Sequence, residues 1–186
     1  MGLVNLTQGQ INKIEIDEGI VVLNFGEESE RVLGPTRGGA EFTATPSIRD
    51  IEYDGRLGKT KGLQVKDGED VSLKINTLCC SQENLALAIP NSTVSENAGN
   101  EIVQGNFGVI AAASYLTNVA VVTKMLDGTF KVLTLKNAMH EGAFTYKGVS
   151  KNENEHNLEF LGHYNPLNAS EKIWSVKDYA TNPLAE

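Results

Sequence analysis

The chain has 186 residues and a formal charge of −8, with 16 Lys and Arg against 24 Asp and Glu, a balance that excludes a nucleic-acid module built on clustered cations. Its 40% apolar and 22% charged content excludes wholesale disorder. No run approaches the ~18 apolar residues of a membrane helix, and the opening MGLVNLTQGQ lacks the charged start and apolar centre of a signal peptide.

One domain with a real core is expected, kept in the cytoplasm where it is made. Sequons at Asn5, Asn91 and Asn168 then carry no weight. The adjacent Cys79 and Cys80 suit neither a mutual disulfide nor a zinc site, so two reduced, packed thiols are expected.

In chain order, Ile14 to Ile16, the turn Asp17-Glu18-Gly19 and the run Ile20 to Phe25 read as a first hairpin. The run is apolar on both faces, which places it inside a sandwich. Gly26 to Arg31 is a charged turn with Glu27, Glu28 and Glu30, and Gly34-Pro35 with Gly38-Gly39 break the chain before the next strand. There, Asp50, Glu52 and Asp54 alternate with Ile51 and Tyr53, which in a strand puts the carboxylates on one face. Val71, Leu73 and Ile75 alternate with Ser72, Lys74 and Asn76, giving a long antiparallel hairpin with a wet, acidic side. Apolar parity slips by one near Arg49, which predicts a β-bulge, and Pro46 excludes a central, fully paired position. The hairpin's turn, Gly55 to Gly62, is glycine and cation with hardly an apolar anchor, so a lone monomer has little reason to order it.

Ser81 to Ile89 predicts one helix, capped by Ser81, striped by Leu85, Ala88 and Ile89 and ended by Pro90. Asn91 to Asn100 reads as linker and Glu101 to Ala113 as a strand bent at Gly105 and Gly108. Val119 to Leu126 and Thr129 to Leu135 flank Asp127-Gly128, which predicts a type I′ hairpin. Ala143 to Val149 and Leu158 to Tyr164 predict two more strands, and Asn165 to Glu186 an arm that packs on a neighbour. Eight or nine strands and one short helix, without a βαβ rhythm, predict an all-β sandwich or barrel.

Chemistry-bearing patterns are sparse. Gly58-Lys59-Thr60 resembles the end of a phosphate loop, but the first glycine of that motif would fall at Tyr53 and no helix follows to offer its amides. His140, His156 and His163 stand singly, without metal-ligand or general-base spacing, and read as surface or strand residues. No Gly-x-Ser-x-Gly elbow is present. No enzyme activity, metal or cofactor is expected. Taken alone, Asp50, Glu52 and Asp54 read as the solvated face of an edge strand, where charge discourages aggregation.

Several blocks in order resemble the major tail tube proteins of long-tailed, non-contractile bacteriophages: TRGGAEF from Thr36, IRDIEYDG from Ile48, ENLALAIP from Glu83, YLTNVAVVTKMLDG from Tyr115, KNAMHEGAF from Lys136 and FLGHYNP from Phe160. Each is weak by itself; their order over roughly 130 residues carries the likeness. It implies a virion tail protein, made in the host cytoplasm, whose hexameric rings stack into a hollow tube, with long hairpins closing a barrel of about 24 strands around the lumen. DNA would pass without specific binding, no membrane would be involved, and the partners would be further copies plus tape measure, tail terminator and distal tail proteins. In this likeness Asp50, Glu52, Asp54 and Asp70 line the lumen and repel phosphate. The loop bearing Arg56, Lys59, Lys61 and Lys66 connects rings, meeting Glu27, Glu28 and Glu30 of the next. Two other readings stay open. One is the tube of a contractile tail, bacteriocin or secretion system; the other is an acidic β-sandwich binding module, for which 6% aromatics and one Trp supply no evident stacking platform. The segment after Tyr164 matches none of the family's blocks.

Overall fold

A computed structural model describes residues 5–95, 101–168 and 170–184. The all-β class holds. Its strands are β1 (Ile20–Leu23), β2 (Arg31–Val32), β3 (Thr36–Asp50), β4 (Gln64–Thr77), β5 (Thr93–Ser95), β6 (Glu101–Val103), β7 (Leu116–Lys124), β8 (Phe130–His140), β9 (His156–Gly162) and β10 (Trp174–Tyr179), joined by helices α1 (Gln8–Asn12) and α2 (Gln82–Ala86) and a 3-10 turn at Ala112–Ser114.

Strand β8 is the hub. Along one side it pairs with β7; along the other, Phe130 to Leu135 pair with β10 and Ala138 to His140 with β9. The exchange of partners falls at Asn137, which has a positive φ of 47°. Lys136 donates its N–H to Ile173 O at 2.7 Å while Asn137 O accepts from His163 N at 3.2 Å, so both backbones stay bonded through the bend. Two layers share this strand, β2-β1-β7-β8-β10 and β8-β9-β4-β3. Their facing sides form the core, with Val21, Leu23, Val119, Val121 and Leu135 from the first packed on Val71, Leu73, Ile75, Leu158 and Phe160 from the second. A smaller cluster, Val22, Ala120, Val122 and Val132 under Phe25, Phe130, Tyr179 and Leu184, covers the back of the first layer. Burial on both faces explains the unbroken apolar runs of β1 and β7.

Several local expectations are corrected. Ile14 to Ile16 do not pair back on β1; Glu15 bridges Met125, so the stretch continues β1's run along β7, kinked at Asp17 to Gly19. Gly19 takes φ +89° there, and a Cβ would lie 2.8 Å from Val121 Cγ1. Helix α1 was not foreseen, although Thr7 and Gln10 form a reciprocal capping box. The turn between β7 and β8 is not type I′: only Gly128 has positive φ (83°), with Gly128 N–H on Met125 O and Met125 N–H on Thr129 O, a turn closed by a glycine bulge. Residues 143–149 join no ladder. The expected strand over 101–113 shrinks to β6, and the expected C-terminal arm supplies β10 to the chain's own sheet. Cys80 is exposed rather than packed.

Candidate functional site

Strands β3 and β4 form one hairpin of 15 and 14 residues. Two irregularities shape it. At its root, Gly38 and Gly39 take φ of 77° and 75° and bulge the chain between Thr36 and Ala40. Halfway out, Ser47 faces Gly68 but Ile48 faces Lys66, so the surplus residue is Asp67 on β4. β3 itself keeps one parity from Ala40 to Asp50, so the bulge expected in it near Arg49 lies in the partner strand instead, and the slip read between Ile48 and Ile51 marks the end of β3 at Asp50.

The register fixes the faces. Ala40, Phe42 and Ala44 lie opposite Ile75, Leu73 and Val71 and complete the core. Glu41, Thr43 and Thr45 lie opposite Lys74, Ser72 and Asp70 on the outer face, which continues into β9 with Asn157, Glu159 and Leu161. Charged and hydroxyl groups share that surface; Lys74 pairs with Glu159 at 3.3 Å, while neither Glu41 nor Asp70 has an ion pair among the described residues. By the same parity Asp50 falls on the core side, not beside Asp70.

The acidic row expected from the sequence does not form. β3 stops at Asp50, and Glu52 and Asp54 belong to the loop. Asp50 accepts from Arg56 Nη2 at 3.2 Å and Gln64 Nε2 at 2.8 Å. Arg56 Nη1 lies 3.9 Å from the exposed Glu52. Of the loop cations, Arg56 is thus folded back on its own strand and Lys66 is bound to Glu69 at 2.7 Å. Lys59 and Lys61 are exposed beside the fully exposed Leu57.

Trp174 braces the hairpin from the core side. Its ring lies 5.4 Å from that of Phe42, and its Nε1 donates to Glu69 at 2.8 Å. Lys66 and this indole together hold the Glu69 carboxyl below the usual carboxylate range. At the root, Arg37 grips Glu155 at 2.6 Å and Glu153 at 2.7 Å, which lowers the Glu153 pKa.

At the far end of β4, Asn84 in α2 accepts from Arg31 Nη1 at 2.7 Å and donates to Leu33 O at 2.8 Å and Cys79 O at 3.3 Å. It ties the acidic turn Glu27 to Glu30 to the end of the molecule remote from the basic loop, about 45 Å along the 14-residue β4. The sequence offered no signal for Asn84, a polar residue at the centre of the buried stripe.

Only one flank of β3 is paired. It ends the sheet order, and from Ala40 to Asp50 its backbone bonds run to β4 alone among the described residues. Gly39 lies against Glu18 O, so the open edge starts at Ala40.

The histidines are placed apart. His140, buried at the end of β8, accepts from Glu159 N–H at Nδ1 (2.9 Å), and burial pushes its pKa down. His156 is buried at the start of β9 beside the Tyr146 ring. His163 contacts Glu141 at 2.8 Å. No group of three or more His, Cys, Asp or Glu is disposed to hold a metal among the described residues, and none of their helices is long and apolar enough to cross a membrane. No known family model matches this chain, and no curated protein matches it.

Proposed function

We propose that this protein is a structural subunit that polymerises with copies of itself into a hollow tube of the phage tail type, through which DNA passes. The supporting observation is the open edge of β3. A long strand bearing polar groups on one face, apolar groups on the other and an unpaired flank is a template for another chain. In a ring closed along this edge, the layer β9-β4-β3 faces the channel. Its outer face, with Glu41, Thr43, Thr45, Asp70 and Ser72, then becomes the lumen lining. Asp70, exposed and without an ion pair among the described residues, keeps the repulsive part that the likeness gave it together with Asp50, Glu52 and Asp54.

Stacking is supported by the separation of charge. Lys59 and Lys61 stand at one end of β4 and Glu27 to Glu30 at the other, which suits head-to-tail contact between rings. In this reading the protein resides in the virion tail, beside tape measure, terminator and distal tail proteins. The test is negative-stain microscopy and gel filtration of concentrated protein. Hollow tubes are expected from the wild type, and soluble monomer with a near-wild-type melting temperature from Ala44→Pro, which blocks the edge because the Ala44 N–H shares the parity of Pro46 and points away from β4. Lys59→Glu with Lys61→Glu should give rings that do not stack. A wild type that stays monomeric up to millimolar concentration overturns the reading.

A further inference from the structure

The open edge of β3 has a counterpart elsewhere in the chain. Residues 143–149 read AFTYKGV, a strand-like alternation rich in residues that favour sheets, yet they join no ladder. Their apolar side chains are left in solvent, Phe144 at 42% and Tyr146 at 66% exposure. The stretch is nonetheless tethered. Phe144 and Thr145 line a small cavity with Thr77, Cys79, Asn84 and His156, and Glu153 and Glu155 of the return chain hold Arg37. These anchors fix it near α2 and β9, separated by β4 from the free flank of its own β3.

We infer that residues 143–149 add as a strand to the open edge of β3 in a second copy; this rests on the reading that this edge receives another subunit. The chemistry agrees face by face. In a strand, Thr145 and Lys147 share one side and Phe144 and Tyr146 the other. With the lysine side on the outer face, Lys147 meets the unpaired Glu41 and Thr145 meets Thr43, while the aromatics cover Phe42 and Ala44, which remain only partly buried within one chain. Lys147 has no ion pair among the described residues. In this register residues 143–148 face Thr45 to Ala40, about 20 Å of strand, and the missing N–H of Pro46 ends further pairing.

Hydrogen exchange on monomeric and assembled wild type, followed by mass spectrometry, tests this directly. Amides of 143–149 and of Ala40 to Thr45 should slow together on assembly, by about tenfold or more. Tyr146→Pro should lower the monomer's melting temperature no more than Tyr146→Ala, because both lose the ring's contact with His156 and neither loses an intrachain ladder, and it should prevent assembly where Tyr146→Ala only weakens it. If assembly protects the β3 edge while 143–149 still exchanges freely, or if Tyr146→Pro assembles normally, the inference is overturned and the open-edge reading survives. If the wild type never assembles, both fall.

Discussion

Strands β7, with its apolar run, and β3, largely polar and charged, serve opposite ends. β7 is paired on both sides and buried on both faces from Asn118 to Val122. β3 is paired on one side only, and its side chains from Thr45 to Arg49 are all exposed. A strand saturated by its own chain holds the fold; one left half satisfied is available to a partner. The difference teaches that the fold is held by the packed faces of both layers, and that in the proposed tube assembly would use the one flank this packing leaves free.

That division can be broken most forcefully in the core. Phe160, 1% exposed, sits between the layers, so Phe160→Ala should cost about 3 to 5 kcal/mol through lost burial and the cavity left behind. Chemical denaturation of the monomer reads it; a loss below about 1 kcal/mol would mean the layers are not held together there. Asn84→Ala is next. Arg31, Leu33 O and Cys79 O lose their shared partner, and leaving such groups unsatisfied should cost about 2 to 3 kcal/mol. Trimming the same residue to Asp, which keeps the acceptor for Arg31 but not the donor, should recover part of it.

A smaller effect sharpens the seam between the layers. His140 pairs in the short ladder of Ala138 to His140 with β9, and its Nδ1 must be unprotonated to accept the Glu159 N–H. Burial, only partly opposed by the Glu159 charge, lowers its pKa from 6.5. The unfolded chain therefore takes up the proton first as pH falls. This contribution to stability is complete above about pH 6.5 and is lost as pH drops toward the lower folded value. Denaturation midpoints should decline as pH falls below about 6.5 in the wild type and decline less in His140→Gln, which keeps an acceptor without the titration. Equal slopes would remove His140 from the seam's pH response.

How much of this could be read in advance follows from the range of the forces. The β7–β8 hairpin and the two faces of β4 were legible because burial prints itself on neighbouring residues, as in Val119 to Val122 and Val71, Leu73, Ile75. The bulge at Asp67 left no mark in β3, and the slip between Ile48 and Ile51, read as a bulge near Arg49, is where β3 ends at Asp50. Ile14 to Ile16 and the C-terminal segment were misassigned because choice of partner is not local: Glu15 bridges Met125, and Trp174 reaches Glu69 across most of the chain. The capping pair Thr7 and Gln10 was a visible signal passed over. For residues 143–149 the alternation was read as a strand, and nothing among the described residues of the chain pairs with it.

The smallest expected effect separates the two regions most cleanly. Ile48 is a large β-branched residue in the outer half of β3, on the core-side parity, yet 56% exposed, because the hairpin has by then run past the layer it covers. Ile48→Thr keeps the β-branch and the sheet preference and removes only surface already in water, so the monomer's unfolding free energy should move by less than about 0.5 kcal/mol. Set against Phe160→Ala in the same denaturation series, that near-zero value would mark the outer hairpin as energetically idle in the single chain. A loss above about 1.5 kcal/mol would instead mean that the isolated subunit folds this half of β3 onto itself, leaving no free strand to give away.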